Sequence, residues 1–141
     1  MNAVKYATFT LDRRYAASPA QVFAAWADPA AKAGWFGGTE HTLDFRVGGQ
    51  EVNRGDRFTF TSDYRDIVAD ERIVYTSTLH EGADLATVTL TTVELEPDGD
   101  GTRLVLTEQG SYLDGREEPA WREQGTGDWL DKLGTHLRPR P

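Results

Sequence analysis

From Tyr6 to Tyr15 the chain alternates, with Phe9, Leu11, Arg13 and Tyr15 on one parity and Tyr6, Thr8, Thr10, Asp12 and Arg14 on the other. A period of two predicts a half-buried strand. Ser18-Pro19 then supplies an N-cap followed by proline at the first helical position, and Val22, Phe23 and Trp26 recur at helical spacing until Asp28-Pro29 interrupts them. Pro29 opens a second short helix, capped by Asp28 and running to Gly34, which leaves Trp35 and Phe36 on a loop beside Gly37-Gly38.

A strand series follows. Thr42 to Val47, Gln50 to Arg54, Arg57 to Val68, Arg72 to His80, Leu85 to Glu96 and Thr102 to Tyr112 are separated by short turns rich in Gly, Asp and Glu, so they form antiparallel hairpins. With the first strand this makes a seven-stranded sheet. In the sixth strand Val88 and Leu90 share one parity and Val93 and Leu95 the other, so a bulge near Thr91-Thr92 is expected to keep one face apolar. After a polar connection rich in Arg and Glu, Trp129, Leu130, Leu133 and Leu137 form the apolar stripe of a final helix, with Lys132 facing solvent. Pro119 is the early candidate for its start, and Gly125 and Gly127 are unfavourable within it. Arg138 to Pro141 reads as a frayed tail around an ordered core of about residues 6–137.

Length and charge narrow the function classes. A chain of 141 residues accommodates a single domain, 1–141. No apolar run approaches the ~20 residues of a membrane span. With 23 acidic against 15 basic residues the net charge is -8, which repels a phosphate backbone and argues against nucleic-acid binding. Cysteine is absent, which excludes disulfides, thiol nucleophiles and Cys-based metal sites. The first residues lack the basic-then-apolar layout of a secretory signal, so the cytoplasm is the expected compartment. His41, His80 and His136 stand apart from one another at no metal-ligand spacing, and the glycine-rich turns lack the residues of a phosphate loop. Neither a metal nor a cofactor is expected.

The order strand, two short helices, six strands, long helix is the helix-grip layout, an α+β fold in which a curved antiparallel sheet wraps the C-terminal helix around a cavity. The run from Ala17-Ser18-Pro19 to Asp28-Pro29, followed by Trp35-Phe36, resembles the opening of START-like (SRPBCC) proteins. Asp44-Phe45-Arg46-Val47-Gly48-Gly49, the run from Tyr64 to Tyr75 and the run from Gly101 to Gly110 resemble further blocks of one branch, named after the C-terminal domain of the activator of the heat-shock-protein-90 ATPase. This resemblance implies a hydrophobic-ligand cavity, on which carriers, cyclases, receptors and chaperone activators are all built. A first strand starting at about Tyr6 leaves no room for the separate N-terminal domain that contributes chaperone binding in the eukaryotic activator, so co-chaperone work ranks last among the functions implied.

Candidate chemistry follows from parity. Leu104 and Leu106 are expected to point at the helix, and Glu108 shares their side. Burial disfavours a charged carboxylate, which would suit Glu108 to act as general acid or base on a carbonyl compound, although a solvated rim position is the competing reading. Phe58, Phe60 and Tyr64 on one strand, and Tyr75 and Ser77 on the next, mix apolar wall with hydroxyls. With Trp35 and Phe36 as a mouth or lid, and with Leu104, Leu106, Trp129 and Leu133, they form the expected ligand wall, and equally suit a filled core. The leading expectation is a module binding a hydrophobic or aromatic small molecule. The alternatives are a cyclase- or hydratase-like enzyme using Glu108 with Tyr64 or Tyr75, and a co-chaperone of a bacterial heat-shock-protein-90 ATPase. A homodimer stays open.

Overall fold

A computed structural model describes residues 3–139; Arg140 and Pro141, the end of the expected tail, lie outside the described residues. β1 (Lys5–Tyr15) leads into α1 (Pro19–Ala27), whose Ser18 Oγ accepts from the Gln21 backbone N–H while Gln21 Oε1 accepts from that of Ser18. This reciprocal cap satisfies two donors that the first turn leaves free. Asp28 in turn caps α2 (Pro29–Phe36), accepting from the Ala31 N–H at 2.9 Å. The second helix therefore runs two residues beyond Gly34, and Trp35 and Phe36 occupy its last turn instead of a loop.

The remaining elements are β2 (Glu40–Leu43), β3 (Gln50–Arg54), β4 (Phe58–Val68), β5 (Arg72–Glu81), β6 (Asp84–Asp98), β7 (Gly101–Tyr112) and α3 (Pro119–Leu137). β2 begins and ends earlier than the expected Thr42 to Val47. All neighbours pair antiparallel in the order β1-β7-β6-β5-β4-β3-β2, so the strands from β2 to β7 are joined by local hairpins and β1 pairs with β7 from the far end of the chain.

The expected bulge at Thr91-Thr92 is absent. Register through these residues is unbroken on both sides, with Thr91 opposite Tyr75 and Glu108, and Thr92 opposite Val74 and Thr107. The register instead shifts between Leu79 and His80 on β5, and between Tyr64 and Asp66 on β4. Strict alternation then turns Thr87, Thr89, Thr91, Val93 and Leu95 inward and leaves Val88 and Leu90 outward, 42% and 37% exposed. The inward face is polar at one end because charged groups of β7 and α3 meet the threonines there.

α3 crosses the concave face of the sheet. Leu130 and Leu133 are buried in one core with Ile73, Val93, Leu104 and Leu106, with Trp129 and Leu137 half-buried and packed against it, as its stripe requires. Its axis is held by the Tyr15 hydroxyl, which donates to the Leu130 carbonyl at 2.8 Å, and by Arg13, whose Nε lies 2.9 Å from Asp131. Among the described residues no helix is long and apolar enough to cross a membrane.

Candidate functional site

A cavity of about 500 Å³ opens between the sheet and α3. β4 contributes Phe58 and Phe60, β5 contributes Tyr75 and Leu79, and β7 contributes Leu106 and Glu108. Trp129, Leu130, Arg122 and Trp121 come from α3, and Trp26, Trp35 and Phe36 from the two short helices. The chain has four tryptophans, and all of them line this cavity.

Of the expected wall, Trp35, Phe36, Phe58, Phe60, Tyr75, Leu106, Glu108 and Trp129 reach the cavity, whereas Tyr64, Ser77, Leu104 and Leu133 do not line it. Leu104 and Leu133 are fully buried core. Ser77 Oγ lies 2.7 Å from Ser62 Oγ across β4 and β5, and Tyr64 turns its hydroxyl to Glu51. Trp35 and Phe36 meet the cavity from the last turn of α2 and not from a loop. The Trp35 indole N–H donates to the Ala25 carbonyl at 2.9 Å, Asn53 Nδ2 donates to the Phe36 backbone carbonyl at 2.6 Å, and the Phe36 ring packs against those of Trp35, Phe60 and Trp129, so both rings stand in the wall. The exposed aromatic of the site is Trp121, 64% accessible.

Sequence reading missed Trp121 and Arg122 because they fall in what looked like a polar connection. Extending the α3 stripe back from Trp129 by one and two turns reaches Gly125, Arg122 and Trp121, which is the signal that locates them.

The polar end of the cavity is a buried ion pair. Glu108 and Arg122 have side chains 4% and 11% exposed, with Arg122 Nε 3.1 Å from Glu108 Oε2. Glu108 is therefore neither a solvated rim residue nor an isolated carboxyl. Thr91 donates its hydroxyl to Glu108 Oε1 at 2.9 Å. Arg122 donates through Nη1 to Thr87 Oγ1 at 3.1 Å and through Nη2 to Thr89 Oγ1 at 3.3 Å, and its guanidinium sits 5.0 Å from the Phe60 ring centroid. Burial, with Glu108 and Glu51 nearby, pushes the Tyr75 hydroxyl well above its usual range, so it stays a neutral donor.

A second buried charge group stands behind the aromatic wall. Lys32, on α2, places Nζ 3.0 Å from both oxygens of Glu51 on β3. The Tyr64 hydroxyl donates to Glu51 Oε1 at 2.9 Å, and His41 Nε2 lies 2.7 Å from Oε2. The same ammonium faces Phe36, Trp26 and Trp35, 4.6, 4.8 and 5.4 Å from their ring centroids. Three cavity-lining rings are thus seated on one buried cation. Burial alone would push the Glu51 carboxyl up, but Lys32, His41 and Tyr64 together hold it below its ordinary value.

Comparison with known proteins places the fold in context. The family described as Activator of Hsp90 ATPase homolog 1-like protein matches residues 16–138. The Mll3558 protein of Rhizobium loti is 42% identical over 96% of this chain and 100% of its own, with a TM-score of 0.89. A Rhizobium leguminosarum protein is 35% identical over 97% of each chain, with a TM-score of 0.94. CalU16 from Micromonospora echinospora is 25% identical over 98% of this chain and 88% of its own, with a TM-score of 0.70. A search among curated proteins returns no match.

Proposed function

The chain belongs to the Activator of Hsp90 ATPase homolog 1-like family of START-like proteins, and from that premise we propose that it binds an apolar, aromatic small molecule in the cavity between the sheet and α3. The observation that carries this reading is the convergence of all four tryptophans on one space of about 500 Å³. Ligand pockets of roughly 300–1,000 Å³ are mostly apolar with a few placed polar groups, and large flat rings on three sides suit a planar ligand.

A neutral apolar fluorophore such as Nile red tests this. Saturable one-to-one uptake with a change in tryptophan emission is the expected result, and Leu79→Trp, which puts a large ring into the cavity, should weaken uptake at least tenfold while the protein stays folded. Absence of saturable uptake overturns the reading.

A second reading, acid–base chemistry on a carbonyl compound, is favoured by the place of Glu108 in the cavity wall. Its hydroxyl partner would be Tyr75 and not Tyr64, whose hydroxyl is committed to Glu51. Retention of full turnover of a processed carbonyl substrate by Glu108→Gln would remove Glu108 from that role.

A further inference from the structure

We infer that the Glu108–Arg122 pair makes the cavity selective for uncharged ligands that carry an acceptor oxygen, such as an aryl ketone, and unreceptive to carboxylates. The inference rests on the apolar-cavity reading and deepens it. A guanidinium has five N–H groups. Among the described residues only Thr87 and Thr89 accept hydrogen bonds from Arg122, through one nitrogen each. Nε is near Glu108 Oε2, yet among the described residues Oε2 has no hydrogen-bond partner, so the ion pair uses no aligned N–H bond. Arg122 lines the cavity with donors to spare, while Oε2 is covered. A ligand oxygen that accepts from Arg122 fits this surplus.

Charge decides what kind of oxygen. Glu108 already neutralises Arg122, so a ligand carboxylate would gain no net positive charge and would bring a second anion into a dry space beside the first. A ketone oxygen accepts from the same N–H groups with no such repulsion. Asp56 and Glu117 also line the cavity, and the further cation there, Arg57, is paired with Glu81 outside the lining. A hydrogen bond from a charged donor corresponds to about ten- to a hundredfold in affinity.

The test compares three ligands of one shape by tryptophan fluorescence titration of the full chain: 2-acetylnaphthalene, 2-isopropylnaphthalene and 2-naphthoate. The isopropyl compound replaces the ketone oxygen by a methyl group and is the more hydrophobic, so hydrophobicity alone would rank it first. The expected order is the ketone at least about tenfold tighter than the isopropyl compound, with naphthoate weakest. In Glu108→Gln, which leaves Arg122 uncompensated, naphthoate should gain at least about tenfold while the ketone changes little. The ligand series in the unaltered protein decides the matter even where that variant does not fold. Equal binding of the two neutral compounds, or tightest binding of naphthoate, overturns the inference and leaves the apolar cavity standing. Binding of none of the three also overturns the inference, and the cavity reading falls with it where Nile red is not taken up either.

Discussion

Lys32 and Glu51, nineteen positions apart, meet inside the protein with the ammonium 3.0 Å from both carboxylate oxygens and each residue no more than 2% exposed. The pair ties α2 to β3. It also lies behind Trp26, Trp35 and Phe36, so the position of the cavity wall depends on a salt bridge that never touches the cavity.

Removing one partner strands the other charge. Glu51→Gln should destabilise the protein by about 3–5 kcal/mol in urea denaturation, because Lys32 is left buried without its counter-ion. Lys32→Met combined with Glu51→Leu should cost less than the sum of the two single changes. Additive losses would show that the charges act independently.

The same carboxylate gives a pH dependence. Its folded value lies below the ordinary 4.5, so between the two values the unfolded chain binds more protons, and the contribution of Glu51 is complete above 4.5 and lost as pH falls through the folded value. The stability difference between the wild type and Glu51→Gln should therefore hold from neutral pH down to about 4.5 and shrink below it. A series of urea melts across this range measures it, and a difference that widens on acidification contradicts the assignment.

Leu133 is fully buried and Lys132 is exposed, one position away on α3. Leu133→Ala should cost about 2–5 kcal/mol through lost transfer energy and a cavity. The Lys132 ammonium nevertheless lies 4.6 Å from the Trp129 ring centroid, so Lys132→Ala should cost about 0.5–1 kcal/mol. Denaturation midpoints of the two variants, at equal slope, report both.

Two cavity-lining glycines should respond with opposite signs. A Cβ at Gly125, inside α3, meets nothing within 4 Å, so Gly125→Ala should raise stability by about 0.5–1 kcal/mol. A Cβ at Gly38 would collide with the Arg54 carbonyl, which already accepts from the Thr39 N–H, so Gly38→Ala should cost about 1–3 kcal/mol. Thermal melts of the two proteins distinguish them.

Local physics made much of this architecture legible in advance. Ser18 and Asp28 announce both short helices because a side-chain oxygen before a proline can do little else as well as cap. Alternation on β7 turns Leu104, Leu106 and Glu108 to one side whatever the rest of the chain does, and the structure buries all three. The Trp129 to Leu137 stripe required an apolar partner, and the sheet is the surface available.

What the tertiary structure decided concerns polar residues facing inward. On β3, Glu51 and Asn53 turn in and are more deeply buried than Val52 between them; on β6, Thr87, Thr89 and Thr91 turn in while Val88 and Leu90 turn out. Hydrophobic patterning assigns these stretches to the opposite face, which is why a bulge was expected at Thr91-Thr92. The cost of burying each polar group is offset by a partner far away in sequence: Lys32 for Glu51, Arg122 for Thr87 and Thr89, Glu108 for Thr91. Periodicity reports how one segment divides between water and interior, whereas a buried polar contact depends on two segments at once, so only the folded chain could show that a short alanine-rich helix and the start of α3 supply the charges on which the cavity is built.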